Sequence, residues 1–141
     1  MDPMNFLDTN ILLYAGWNAP EDARKKQIAS AIIASVEFAI STQVVQEFIA
    51  NALGKKSLGF TGAGIEATLE SLRSITVLPV TYGLVLQAWR LHRRHAVSQW
   101  DATILAAALE LGCQTLYSEG LNHGQDYDGV KVVNPFLLPA L

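Results

Sequence analysis

Short apolar runs alternate along the chain with longer segments whose apolar positions recur every three to four residues. The short runs are Met4 to Leu7, Phe38 to Ser41, Ile75 to Val80, Gln114 to Ser118 and Lys131 to Val133, each of strand length. Between them the pattern is helical. Ile11 to Trp17 forms the first such segment, and Pro20 with Glu21 and Asp22 opens a second, because proline suits a first turn and acids there oppose the helix dipole. Ile28, Ala31, Ile32 and Ser35 continue that second helix at helical spacing. Thr42 is placed to cap a third, whose stripe is Val44, Val45, Phe48, Ile49, Ala52 and Leu53 and whose end is Gly54. Gly59 to Gly64 is the most flexible stretch and leads into a helix from Ile65 to Arg73. Two more follow, Tyr82 to His95 and Ser98 to Leu111, the latter closed by Gly112.

Apolar strands separated by helices, with almost no hairpin signals, predict an α/β fold whose parallel sheet is covered on both faces. Ligands of such sheets bind beyond the carboxyl ends of the strands. Asp8, Ser41 and Glu119 with Gly120 fall at such ends. A length of 141 residues suits one core, and no repeat or linker divides it, so a single domain over 1–141 is expected.

Composition narrows the function. Half the residues are hydrophobic and the net charge is -3, which excludes a uniformly basic coat for nucleic acid. Local basic clusters remain at Arg24-Lys25-Lys26, at Lys55-Lys56, and at Arg90, Arg93, Arg94 and His95. Each reads first as a solvated helix face, and second as the border of a groove that holds phosphates. The single cysteine, Cys113, excludes an internal disulfide and fits a reducing compartment. Neither a signal peptide nor an apolar stretch of about 20 residues is present, so the expected location is cytoplasmic, with no membrane partner. His92 and His95 read as exposed, His123 lies in a turn, and Asp126 and Asp128 read as surface residues of a turn-rich loop.

Three acids carry the chemistry. Asp8 follows Phe6 and Leu7 directly, so it is either an N-cap or a metal ligand, and one oxygen can serve each role. Glu47 shares a polar stripe with Gln43 and Asn51, the pattern of a solvated helix face, yet it is the only acid its segment offers. Asp101 lies on the face of Val97, Ile104, Leu105 and Ala108. An unpaired carboxylate there is costly unless bound to metal, although Ser98 three residues earlier also suggests a local capping box. Trp100 beside it reads as packing rather than base stacking. Carboxylates gathered within several Å repel unless a divalent cation lies between them. All-oxygen ligands suit Mg2+ or Mn2+, and Cys-His spacing for zinc is absent. Such an ion bridges phosphate oxygens and ionises water, which makes phosphodiester hydrolysis the natural reaction.

Leu-Asp-Thr-Asn at 7–10, Val-Gln-Glu-Phe at 45–48, Gln-Trp-Asp-Ala at 99–102, and Leu-Tyr-Ser-Glu followed by Val-Val-Asn-Pro-Phe resemble the PIN domain, and more narrowly the VapC-type toxins of bacterial toxin-antitoxin pairs. The resemblance spans essentially the whole chain. It implies a three-layer α/β/α sandwich with a mainly parallel central sheet, Mg2+- or Mn2+-dependent RNA cleavage, homodimerisation, and inhibition by a cognate antitoxin. By position it assigns Asp8, Glu47 and Asp101 to the metal and Asn10 and Ser118 to its support. Where the family usually has a fourth acid, this chain has Gly120. Two accounts of that glycine stand open: a turn needing positive φ, or loss of an acid that weakens or abolishes activity. Glu119 should point to the opposite face of its strand and so not replace it.

The expected function is therefore a metal-dependent endoribonuclease toxin. The alternative is a catalytically inactive module of the same fold that binds antitoxin or RNA. A phosphatase using a covalent aspartate is disfavoured because Asn10 stands where its second acid belongs. The apolar helices between Ile65 and Arg94 are the candidate dimer surface.

Overall fold

A computed structural model describes residues 4–16 and 18–137; Trp17, the expected end of the first helix, and both ends of the expected 1–141 domain lie outside them. Six strands form one sheet: β1 (Asn5–Leu7), β2 (Phe38–Ser41), β3 (Thr76–Leu78), β4 (Thr115–Tyr117), β5 (Asp126–Tyr127) and β6 (Val130–Val133). Their order is β3-β2-β1-β4-β6-β5. Every pairing is parallel except β5 with β6. All four residues of β2 are buried, as expected of a strand covered on both faces.

Six helices supply the cover: α1 (Thr9–Gly16), α2 (Ala23–Ser35), α3 (Thr42–Gly54), α4 (Gly62–Ser71), α5 (Tyr82–His95) and α6 (Gln99–Glu110). Helices α1 to α4 pack together in sequence-local pairs and α5 packs on α6, giving the expected α/β/α layering. Phe6, Leu7, Ile40, Leu116 and Val132 of the strands meet Ile11, Phe48 and Leu105 of the helices in one apolar core.

Several local expectations need correction. α1 begins at Thr9, not Ile11, directly after the strand, with the Thr9 amide held by the Asp8 carboxylate. Pro20 opens a 3-10 turn, Pro20–Asp22, that precedes α2. Ser41 rather than Thr42 caps α3, accepting from the Val44 amide, while the Thr42 hydroxyl accepts from Val80 N at 3.1 Å. α4 starts three residues early, capped by Thr61, and its expected last turn is a 3-10 segment, Leu72–Ser74. β5 and β6 form a hairpin that the sequence pattern does not show. Asp128 and Gly129, at φ 54 and 108, turn β5 into β6, the two-residue Asp-Gly connection that tolerates positive φ at both positions. Gly129 N donates to Asp126 Oδ1 at 2.8 Å.

The basic clusters are used internally more than expected. Lys25 bonds Glu119, Lys26 bonds Asn18, and Arg94 and His95 both engage Asp128. His92 is half-buried, with Nδ1 2.5 Å from the Val97 carbonyl.

Candidate metal centre

The chain order of the sheet reverses at β1 and β4: from β1 the chain builds outward through β2 to β3, then returns to β1's other side with β4. Ligands of open α/β sheets occupy the crevice at such a reversal. Asp8 ends β1 there and Ser118 ends β4.

Asp8 is buried at 7% exposure behind fully buried Phe6 and Leu7. Its two oxygens have different partners. Oδ1 accepts from the amide of Thr9, the first residue of α1, at 2.7 Å. Oδ2 accepts from the Ser118 hydroxyl at 2.7 Å. Burial pushes the carboxyl up from 3.8 to about 6, outweighing the stabilising bonds from Ser118 and Thr9, and the charges of Glu47 and Asp101 add to the rise.

Glu47 comes to the same crevice from α3. Thr9 Oγ1 donates to Oε1 at 2.6 Å and Gln43 Nε2 donates to Oε2 at 3.1 Å. The polar stripe of Gln43, Glu47 and Asn51 is thus not a merely solvated face: Asn51 bonds the Glu47 carbonyl at 2.7 Å, and Gln43 also reaches the Trp100 carbonyl at 3.0 Å. Asp101 approaches from the first turn of α6, where Ser98 Oγ accepts from its amide at 3.0 Å. The capping account of Asp101 therefore holds locally, and the seven residues after it, Ala102 to Ala108, are all buried. Burial raises the Asp101 carboxyl, the Ser98 side chain lowers it, and Glu47 raises it again.

Three acids thus share one field, and among the described residues no cationic side chain pairs with any of them. Hard oxygen donors with mutual repulsion fit a divalent cation, which relieves the cost that burial imposes on Asp8. Among the described residues no three Asp, Glu, His or Cys side chains close into a ready cage.

Gly120 borders this crevice, and its amide donates to Ser118 Oγ at 3.1 Å. Its φ is not positive, and a Cβ built there meets only Ser118 Oγ, at 3.9 Å. Backbone geometry does not require glycine, so the turn account of this residue fails. Glu119 points away as expected: Tyr14 donates to Oε1 at 2.8 Å and Lys25 pairs with Oε2 at 2.5 Å. Asn10 Oδ1 accepts from the Glu119 amide at 3.4 Å, so it fastens the turn after β4 and touches none of the three acids through that bond.

A cleft of about 540 Å3 runs from Glu47 and Gln43 to Gln99, Trp100 and Val85. Trp100 is 70% exposed, which overturns the expectation that it packs.

The sequence from 6 to 123 matches the model of the PIN domain. The chain belongs to the PIN domain family. Solved structures agree. VapC20 of Mycobacterium tuberculosis, described as a sarcin-ricin loop cleaving toxin, is 29% identical, covering 81% of this chain and 88% of its own, with a TM-score of 0.61. A toxin-antitoxin complex from Klebsiella pneumoniae is 21% identical over 93% and 97% of the two chains, with a TM-score of 0.64. FitAcB from Neisseria gonorrhoeae is 20% identical over 96% and 100%, with a TM-score of 0.62. These last two show the fold alone. No curated protein matches the sequence.

In this PIN domain two participants escaped the sequence pattern. Thr9 holds Glu47 and Gln43 joins α3 to α6. Thr9 had a signal, a hydroxyl one residue after an aspartate at a strand end. Gln43 had none beyond its spacing from Glu47.

Proposed function

We propose that this PIN domain is a VapC-type toxin, an endoribonuclease that hydrolyses RNA phosphodiesters with Mg2+ or Mn2+. The observation that carries the reading is the group of Asp8, Glu47 and Asp101, like charges coupled at the β1/β4 reversal that, among the described residues, pair with no cationic side chain. Asp8, Glu47 and Asp101 would hold the ion, with Ser118 fixing Asp8 and Asn10 steadying the adjacent turn. When bound, a divalent ion supplies Lewis acidity to a phosphate oxygen and acidifies a water. The chain's own groups set the geometry. Thr9 and Gln43 orient Glu47, Ser118 orients Asp8, and burial of Asp8 excludes competing water.

A toxin of this kind works in the cytoplasm, and its partner is a cognate antitoxin. Tyr82, Val85, Leu86 and Trp89 expose an apolar stripe on α5, which falls within the stretch expected to join two copies in a homodimer. One observation favours a second reading, an inactive module that binds antitoxin or RNA: Gly120 leaves the site with three acids, and an ion held by three binds more weakly than one held by four.

The test is a calorimetric titration of the whole chain with Mn2+, paired with incubation of structured RNA in Mn2+ or EDTA. Saturable binding that Asp8→Asn removes, with RNA cut only when Mn2+ is present, supports the nuclease. Binding of RNA without cutting supports the inactive module, and cutting that persists in EDTA sinks the metal reading.

A further inference from the structure

We propose that the cleft between α3 and α6 is a nucleobase subsite, in which Trp100 stacks an unpaired base of the RNA next to the scissile phosphate. The inference rests on the ribonuclease reading and adds to it a contact that holds the RNA beside the acids.

The cleft is continuous with the acidic site because Glu47 forms part of its wall and Asp101 follows Trp100 directly in the chain. An RNA phosphate at the acids would therefore place an adjoining base over this cleft. Trp100 is 70% exposed, and among the described residues no aromatic ring stacks on it. Exposing so large an apolar ring at the mouth of a cleft is unhelpful to the fold, whereas base stacking on an aromatic ring contributes to binding whatever the base. Val80 and Val85 give the cleft an apolar floor that matches a base's flat faces.

The glutamine amides of the cleft are engaged within the protein and leave its apolar surface to the ligand. Gln43 and Gln99 both line it, and both use their Nε2 atoms inside the protein: Gln43 donates to Glu47 and to the Trp100 carbonyl, and Gln99 donates to the Val85 carbonyl at 3.4 Å. Their Oε1 atoms are buried with no hydrogen-bond partner. Those oxygens lie beneath the cleft surface and are not offered to a base. The subsite therefore takes an unpaired base whatever its identity, with Trp100 supplying the affinity.

The test is fluorescence anisotropy of end-labelled five-nucleotide oligo(A), oligo(C) and oligo(U) with the whole chain and with Trp100→Ala and Trp100→Phe, in Mg2+-free buffer so that no oligonucleotide is cut. The expected result is saturable binding of all three oligonucleotides. Trp100→Ala should weaken binding by between about five-fold and a hundred-fold. Trp100→Phe should recover most of that loss. Equal affinities of Trp100→Ala and the wild type overturn the proposal, as does the absence of RNA binding. If Trp100→Ala instead shifts only the monomer-dimer balance in sedimentation, the cleft belongs to a contact between copies and the proposal also falls. Asp8→Ala separates the two readings. Intact Trp100-dependent binding with no cutting by any variant in Mn2+ would leave the subsite standing and remove the nuclease.

Discussion

Ser118 donates its hydroxyl to Asp8 Oδ2 at 2.7 Å, joining residues 110 positions apart across the β1–β4 pair. This bond favours the charged carboxylate against the burial that disfavours it. Removing it in Ser118→Ala should push the Asp8 carboxyl further above about 6 and weaken Mn2+ binding by about ten-fold to a hundred-fold, the usual effect of losing a ligand's supporting hydrogen bond. A carbon-13 carboxyl titration and calorimetry check both, and an unmoved Asp8 titration would show that the bond does not tune the acid.

The raised Asp8 value also fixes a sign for stability without metal. An acid held above its unfolded value binds its proton more tightly when folded, so its destabilising effect is absent below 3.8 and complete above about 6. The difference corresponds to about 3 kcal/mol. Stability of the metal-free chain should thus gain this contribution as pH falls from 7 towards 4, with Asp101 acting in the same direction. Denaturation midpoints across that range should slope less in Asp8→Asn. Parallel slopes for the two proteins would contradict the shift.

Thr9 is buried, and its hydroxyl lies 2.6 Å from Glu47 Oε1. Thr9→Val keeps the shape and removes the donor, which should cost about 1.5–3 kcal/mol of stability, as expected for a hydrogen bond to a charged group. Urea unfolding measures it, and a cost near zero would mean that Glu47 finds water instead.

Glu119 is the residue most easily mistaken for a substitute acid. Its carboxylate is held by Tyr14 and Lys25, so Glu119→Gln should leave Mn2+ affinity within about two-fold while lowering stability by about 1 kcal/mol or less, as for a partly exposed pair. A large fall in Mn2+ affinity would show that Glu119 swings into the site.

The parts of this site legible in the sequence are those where a charge contradicts its surroundings. Asp8 behind Phe6 and Leu7, and Asp101 ahead of a buried run, stand out because burial of a carboxylate needs a reason. Thr9 and Gln43 did not stand out, because a hydroxyl at a helix start and an amide on a polar stripe are ordinary until the fold brings them to Glu47. The β5–β6 hairpin was hidden for a different reason. β5 has only two residues, too few to show alternation, and Asp128-Gly129 sits among other turn residues. Ser41 and Thr42 are equally good caps by type, and only the end of β2 decides between them. Trp100 reads as packing because its sequence neighbours say nothing about the cleft between α3 and α6.

Gly120 tests the account most directly, because space and backbone there accept a side chain. The measurement is the rate of structured-RNA cleavage in Mn2+ by the wild type, by Gly120→Asp, and by Gly120→Asp carrying Asp8→Ala. The account expects Gly120→Asp to cut faster than the wild type and the added Asp8→Ala to abolish cutting. No gain from Gly120→Asp on any RNA would remove the fourth-acid argument, and undiminished cutting after Asp8→Ala would contradict the metal centre itself.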